Sequence, residues 1–244
     1  MNEQRDLEGL SALVTGATSG IGRATAEHLA RDGAEVVVHG RDAGRGSAVV
    51  DAITADGGKA RLVAADLSNP GRLDGLAEEA GPVDILVNNA GVSWFGPTAE
   101  LDMAAFDRLF AANVRAAYFL VAALAPKMAA RGSGSIISLG SMAGQIGLAG
   151  GAAYGATKAS LVAMTRSWAA EFSPAGVRVN AVAAGPVRTP GAAPERIEAL
   201  GATTLLSRAA QPAEIAEVIA FLASPRASYV TGAVIAADGG RTAI

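Results

Sequence analysis

The residues best equipped for chemistry are Tyr154 and Lys158, set four apart in AAYGATKAS, residues 152–160, among alanines and other small residues. On a helix that spacing puts the phenol and the ammonium on one face, about one turn apart. An ordinary phenol, with a pKa near 10, is a poor proton donor or acceptor at neutral pH. A neighbouring cation favours the phenolate. Roughly 3–4 kcal/mol of differential stabilisation would bring the phenol toward neutrality, within reach of two cations in a partly buried site. Tyr154 would then exchange a proton at working pH. The same spacing also describes a packed ring beside a solvated lysine, so the surrounding sequence has to decide.

Ser141 lies between an apolar run, GSIISLG at 134–140, and the segment that carries Tyr154. From there its hydroxyl can meet a substrate oxygen. Asn113 sits within a long helical pattern, where asparagine is an unfavourable choice without a reason; a local kink or an exposed amide is the alternative. DILVNNAG, residues 84–91, ends a strand on a polar, glycine-marked corner from Asn88 to Gly91. Near the N-terminus, TGATSGIG at 15–22 places Gly16, Gly20 and Gly22 between a strand and a helix. Glycines there allow a tight turn, and the helix N-terminus offers free N–H groups and a positive dipole end to a pyrophosphate. A dinucleotide is the expected ligand, and an oxidised nicotinamide would be the second positive charge near Tyr154. The end of the second strand selects between dinucleotides: an acid there binds the ribose hydroxyls of NAD. This chain has Gly40 and Arg41. A guanidinium pairs with an adenosine 2′-phosphate and no carboxylate repels it, which favours NADP(H) over NAD(H). His39 and Arg45 are either helpers or ordinary surface residues. Asp66 can accept from the adenine amino group while Leu67 packs nearby, or it caps a helix ahead of SNPGR.

These residues need a frame. Seven short apolar runs, at 11–16, 35–40, 60–66, 84–89, 134–140, 177–183 and 233–238, alternate with helical patterns at 21–31, 45–55, 72–79, 103–131, 153–172 and 213–223. The helix at 103–131 is expected to break near Asn113 and Pro126. The strands show little polar alternation, as when helices cover both faces of a sheet. The predicted fold is α/β: a single-domain Rossmann fold over 1–244, with a doubly wound, parallel, seven-stranded sheet and helices on both faces. Residues 186–212, with Pro190, Gly191, Pro194 and Gly201 closely spaced, read as a mobile substrate-binding segment at the strand ends.

A net charge of −3 gives little support to nucleic-acid binding. The absence of cysteine removes disulfides, thiol nucleophiles and cysteine metal sites, and suits a reducing cytosol. His28 and His39 are the only histidines, so no metal is expected. MNEQRDLEG lacks the basic flank and apolar core of a signal peptide. The uncharged stretch 132–157 is broken by serines and glycines and reads as strand, loop and helix start rather than a membrane span. A soluble, cytoplasmic protein without nucleic-acid or membrane partners is the expectation.

Along nearly its whole length the chain resembles the classical short-chain dehydrogenases/reductases. TGATSGIG matches that family's cofactor turn, DILVNNAG its internal structural motif, Asn113 its relay asparagine, and Ser141 with YGATK its catalytic residues. The resemblance implies that Ser141 orients and polarises a carbonyl, that Tyr154 donates or removes the proton, and that Lys158 binds the nicotinamide ribose and lowers the tyrosine pKa. It further implies that Asn113 holds a water linking Lys158 to solvent. Thr18, Ser19 and Ile21 would join the glycines around the cofactor, Asn89, Ala90 and Gly91 would line its channel, and Gly185, Pro186, Val187 and Thr189 would stand on the nicotinamide side. Ala184 stands where the family usually has proline. Trp94 and Gln145, with Ser141 and Tyr154, are the expected substrate contacts. Phe95, Met142, Leu148 and Val187 add mostly apolar walls, which suit a small or medium hydrophobic ketone. The expected reaction is reversible hydride transfer between NADP(H) and a carbonyl or secondary alcohol, run as ketone reduction. The closest look within the family is to 3-oxoacyl-(acyl-carrier-protein) reductases, with Lys127 and Arg131 as the nearby cations for an acidic carrier. An NAD-dependent sugar or polyol dehydrogenase is the other enzyme alternative, and a dinucleotide-sensing binding protein is the non-catalytic one. A homotetramer is the assembly that the resemblance implies.

Overall fold

The computed structural model describes residues 5–69 and 71–244. Seven strands form one sheet: β1 (Ser11–Val14), β2 (Glu35–Gly40), β3 (Lys59–Ala64), β4 (Ile85–Asn88), β5 (Gly134–Ser141), β6 (Val177–Ala184) and β7 (Val234–Ala237). All pairings are parallel, in the order β3-β2-β1-β4-β5-β6-β7. The chain therefore winds outward from β1 to β3, returns to the middle, and winds the other way from β4 to β7. Ligands bind at the carboxyl ends of the strands where that reversal occurs.

Alternate residues of each strand feed two cores. Val14, Val36, Val38, Val87, Ile137 and Val182 pack against α1 (Gly20–Arg31), α2 (Ala43–Ala55) and α8 (Pro212–Ala223). Leu13, Val37, Leu86, Ile136 and Val179 pack against α3 (Gly71–Ala80), α5 (Ala116–Arg131) and α6 (Ala152–Phe172). A parallel strand buried on both faces has no position for a polar alternation, which is why these runs read as nearly continuous hydrophobic sequence. Burying each Val, Leu or Ile is worth about 1.5–3 kcal/mol.

The helical run 103–131 is continuous, changing its winding once near Asn113 instead of breaking there and at Pro126. Between α4 (Met103–Phe110) and α5 the chain passes through a π-helical segment, Ala111–Arg115, which carries Asn113. At Pro126 α5 continues without interruption to its left-handed cap at Gly132. Pro126 and Ala122 are both on the exposed side, so the carbonyl deprived of its N–H partner faces water and costs little. The rod Met103–Arg131 is long and apolar enough to cross a bilayer. Here Leu120, Val121, Leu124 and Met128 are instead sunk in the second core.

The excursion 186–212 holds a helix that the sequence reading passed over, α7 (Pro194–Gly201). Pro194 in its first turn and Glu195 beside it are helix-start signals, outweighed in the reading by the surrounding Pro190, Gly191 and Gly201. The two ends of the segment pair with each other: Ala210 N donates to Pro186 O at 2.9 Å and Arg188 N to Ala210 O at 3.0 Å.

At the other end of the molecule, the partly buried Arg178 on β6 donates to Leu222 O at 2.8 Å and Ser224 O at 3.2 Å, satisfying carbonyls where α8 stops. An Arg178→Met variant keeps the apolar stem and strands those acceptors. It should lose about 1–3 kcal/mol of stability, seen as a Tm lower by about 2–10 °C in calorimetry. An unchanged Tm would contradict this account of the α8 terminus.

Candidate active site

At the point where the sheet reverses, the exit of β1 is tied to the exit of β4. The buried Thr15 hydroxyl donates to Val87 O at 3.1 Å and accepts from Asn89 N and Ala90 N, each at 3.0 Å. The Asn89 amide returns the connection, donating to Thr15 O at 2.8 Å and Gly16 O at 3.2 Å. Asn89 thus builds the glycine turn from behind. The neighbouring Asn88 is buried in the sheet rather than presented to a channel.

The turn accepts no side chain at its key positions. Gly16 has φ +65°, and a Cβ there would come within 2.9 Å of Ala90 Cα; a Cβ on Gly22 would strike Gly16 O and Asn89 Nδ2. Gly20 has φ +54°, and Thr189 stands 3.1 Å from its Cβ position, so the segment after β6 reaches the turn. Ser19 precedes α1 in extended conformation and its side chain does not cap the helix. The first N–H groups of α1, from Gly20 through Ile21 and Gly22, are therefore available to an anion, with backbone free to approach. A pyrophosphate fits this cradle. Gly40 ends β2 because Thr18 packs where a Cβ would be. Arg41 follows, exposed.

His39 is neither a surface residue nor a phosphate ligand. It is 2% exposed and sits directly beneath the turn. Its Nδ1 accepts from Gly16 N at 3.3 Å and its Nε2 lies 3.1 Å from Ala65 O, which assigns the proton to Nε2. Burial pushes its pKa down to about 4, against the Ala65 hydrogen bond and the Asp66 charge, so it is neutral at physiological pH. Its position in β2, where every residue from 36 to 40 is buried, was the signal for this role. Arg45 is also accounted for locally: it donates to the Asp42 carboxylate at 3.1 Å, while Asp42 caps α2. Asp66 accepts from Ser68 N at 3.0 Å and Ser68 Oγ at 2.8 Å, both on Oδ1. These bonds, and more weakly Arg41, hold its carboxyl below the usual range. The turn-forming role is thus in place, with Oδ2 facing outward at the end of β3 and Leu67 buried beside it.

On the other side of the reversal, Ser141 ends β5 and α6 brings Tyr154 and Lys158 alongside. Ser141 Oγ accepts from Ala143 N at 3.2 Å and hydrogen-bonds the Tyr154 phenol. Lys158 is 5% exposed; its Nζ donates to Leu139 O at 2.7 Å and lies 5.8 Å from the Tyr154 ring centre. A Cβ on Gly91 would be 3.7 Å from that Nζ, so the ammonium also borders the β4 exit. Burial lowers the Lys158 pKa to about 8. It raises that of Tyr154, the Ser141 hydrogen bond working the other way. In the protein alone burial is thus the leading influence on the phenol, and Lys158 is not among the groups that lower it.

Asn113 is turned inward by the π segment and its side chain is fully engaged. Oδ1 accepts from Val92 N at 2.8 Å; Nδ2 donates to Val92 O at 2.8 Å and to Thr157 Oγ1 at 3.0 Å. Thr157 in turn donates to Tyr154 O at 2.7 Å. The Asn113 side chain clamps the β4 exit to the helix that carries Tyr154 and Lys158.

Of the remaining predicted residues, Val187 is buried, and Gly185 is required because a Cβ there would meet Asp238 Cα at 2.6 Å. Pro186 accepts from Ala210. Ala184, in the place of the family's proline, lies in β6 opposite Ser141 and Ala237. Trp94 is partly buried and Gln145 exposed. Phe95 stacks on Tyr154 with ring centres 5.2 Å apart, while Met142 is buried in the interior. Arg131 is not beside the site: it donates to Val83 O at 2.7 Å at the opposite, amino end of the strands, and Lys127 precedes it by one helical turn. A charged cleft of about 540 Å³, lined by Arg5, Asp6, His28 and Asp32 among others, contains none of the residues above. Among the described residues there is no cluster of three side chains able to hold a metal.

Comparisons with known proteins agree with this arrangement. A family model described as enoyl-(acyl carrier protein) reductase matches residues 16–242. The chain is 41% identical over 241 residues to the cis-4-hydroxycyclohexanecarboxylate dehydrogenase of Sinomonas cyclohexanicum, covering 96% of each sequence. Among solved structures, one described as a short chain dehydrogenase/reductase family protein shares 51% identity with a TM-score of 0.91, covering 98% of this chain and 100% of that one. A 3-oxoacyl (acyl-carrier-protein) reductase from Agrobacterium tumefaciens with NADP bound shares 36% identity with a TM-score of 0.92, over 97% and 96% of the two chains.

Two outcomes are expected. Replacing His39 with Leu removes an acceptor for Gly16 N–H and a donor to Ala65, so dinucleotide affinity measured by fluorescence titration should fall about tenfold. His39→Gln should recover part of it. For Lys158, the unfolded chain holds the proton more tightly (10.5 against about 8), so this group's contribution to stability is least below pH 8 and recovers as pH rises toward 10.5. Unfolding free energies of wild type minus Lys158→Met should therefore increase by up to roughly 3 kcal/mol between pH 7.5 and pH 10.5. A flat difference would mean that the buried ammonium is not strained.

Proposed function

The chain belongs to the short-chain dehydrogenase/reductase family and is an oxidoreductase of alcohol and ketone groups, and from that premise we propose that it reduces a small or medium apolar ketone with NADPH. The observation that carries the reading is the convergence of Ser141, Tyr154 and Lys158 at the strand ends beside the glycine cradle. Bound NADP(H) supplies the hydride chemistry.

The protein supplies position and a proton. A carbonyl oxygen set between the Ser141 hydroxyl and the Tyr154 phenol receives two donors as its charge develops. Burial keeps the phenol protonated in the resting protein, which suits the donor role required for reduction. Lys158 sits close enough to steady the phenolate left behind and to hold a ribose hydroxyl, and Asn113 through Thr157 fixes the pitch of α6. Alcohol oxidation uses the same groups in reverse and needs the phenolate, hence added positive charge at the site. Loss of stacking between Phe95 and Tyr154 would loosen the phenol's direction.

NADP(H) is favoured over NAD(H) by Arg41 after a β2 that ends without a carboxylate. The Agrobacterium tumefaciens relative with NADP bound supports the same choice. That relative also supports a second reading, a 3-oxoacyl substrate delivered by a carrier protein, although within one chain Arg131 lies at the wrong end of the strands for docking. We infer a soluble cytoplasmic enzyme working on small molecules, with residues 186–212, whose ends are held together by the bridge between Val187 and Ala210, closing over the substrate. A homotetramer is favoured by Tyr118 and Phe119, 48% and 50% exposed on the α5 surface beside Trp168.

The test is a ketone panel monitored with both cofactors. NADPH should be preferred, and Arg41→Asp should cut the NADPH-to-NADH ratio by about tenfold or more. Tyr154→Phe should lower kcat by about 10²–10⁴-fold with NADPH binding intact. A Tyr154→Phe variant that keeps most of its turnover would overturn the proposal.

A further inference from the structure

We propose that Arg196 is a recognition residue for a carboxylate on the substrate, stacked one phenyl ring away from the Tyr154 proton donor. The proposal deepens the ketone-reductase reading and rests on it for the identity of the site.

Three groups form a stack. The Phe95 ring packs on Tyr154, 5.2 Å between centres and tilted by 53°. On Phe95 lies the Arg196 guanidinium, its Cζ 3.5 Å from the ring centre. Phe95 is locked in place by the residues that open α6: Gly96 N donates to Gly150 O at 3.0 Å, and a Cβ on Gly151 would come within 3.0 Å of the Phe95 ring. The same helix carries Tyr154, so cation and phenol are held in one frame through a single phenyl ring.

Stacking uses the face of a guanidinium and leaves its edge free. All the N–H donors lie in the guanidinium plane, where they match a planar carboxylate bidentately. The other cations of this segment are already committed: Arg188 to Glu198 at 2.6 and 2.8 Å, and Arg208 to Glu214 at 2.6 and 2.8 Å. Arg196 enters no ion pair among the described residues and is exposed. Its one described neighbour is the apolar Phe95 ring, and Trp94 packs against the next residue, Gly96. A free guanidinium fork one phenyl ring away from the proton donor fits a ketone or secondary alcohol whose carboxylate sits across a ring or short chain from the reacting carbon. Arg196 also rides on α7, so a carboxylate bound to it would tie the segment 186–212 to the substrate.

Binding and turnover separate the two layers of the claim. With saturating NADP, cyclohexanecarboxylate should bind the wild type at least about tenfold more tightly than its methyl ester in calorimetric titration, as a charge-assisted bidentate pair provides. In Arg196→Gln that preference should fall to near one, and Arg196→Lys should retain part of it, keeping the charge without the fork. The kcat/KM ratio of 4-oxocyclohexanecarboxylate to its methyl ester should follow the same pattern. Equal binding of acid and ester by the wild type, or a preference unchanged in Arg196→Gln, would overturn the assignment. Acid preference in binding without turnover of either ketone would support Arg196 and overturn the reductase reading instead.

Discussion

A doubly wound sheet must change direction in the middle, and in this molecule the hydroxyl of Thr15 spans that change, bonded to Val87 on one side and receiving Asn89 and Ala90 on the other. Without a tie of this kind the exits of β1 and β4 would diverge as their helices leave on opposite faces. With it, the glycine turn acquires a floor, completed by the Asn89 amide and by the imidazole of His39 reaching in from β2. Four strand ends, β1 to β4, are thereby referenced to one another by hydrogen bonds that contain no charge. The floor is insensitive to salt and, with His39 neutral down to about pH 4, to ordinary changes of acidity.

The catalytic half is built on the opposite electrical principle. Desolvation drives both Lys158 and Tyr154 toward their neutral forms, the lysine down to about 8 and the phenol upward. Among the described residues the ammonium bonds a single carbonyl, Leu139 O. Such a site is under-supplied with compensating charge in the protein alone, and an anionic dinucleotide with a ribose hydroxyl near Nζ would relieve it. Stability given up at Lys158 leaves a buried cation 5.8 Å from the centre of the Tyr154 ring, as the proposed reduction requires.

Most of the frame was legible because its physics is local and repetitive: β-branched runs without polar alternation, glycines at 16, 20 and 22, a Tyr and a Lys one helical turn apart. What escaped was set by tertiary context. The role of His39 depends on two backbone groups, Gly16 and Ala65, that are distant in sequence. The three-way clamp made by Asn113 joins Val92 and Thr157, partners that lie far from it in sequence. The direction of the Tyr154 shift depends on how much water is excluded, which spacing does not encode. α7 was hidden because Pro190, Gly191 and Gly201 carry stronger local signals than a short helix can offset. Pro126 misled for the reverse reason: its effect depends on which side of α5 meets water.

The π segment Ala111–Arg115 also says something about how this stretch of chain can vary. One surplus residue is accommodated there without breaking the rod, and it is this extra step that swings Asn113 toward Val92 and Thr157. Each residue of an α-helix turns the chain by about 100°. Losing a single position between 111 and 115 would leave a more regular helix but rotate everything before it, parting α4 from its contacts. Substitution is thus tolerated along this rod wherever the surface allows, whereas its residue count is locked, and insertions or deletions belong in the loops on either side.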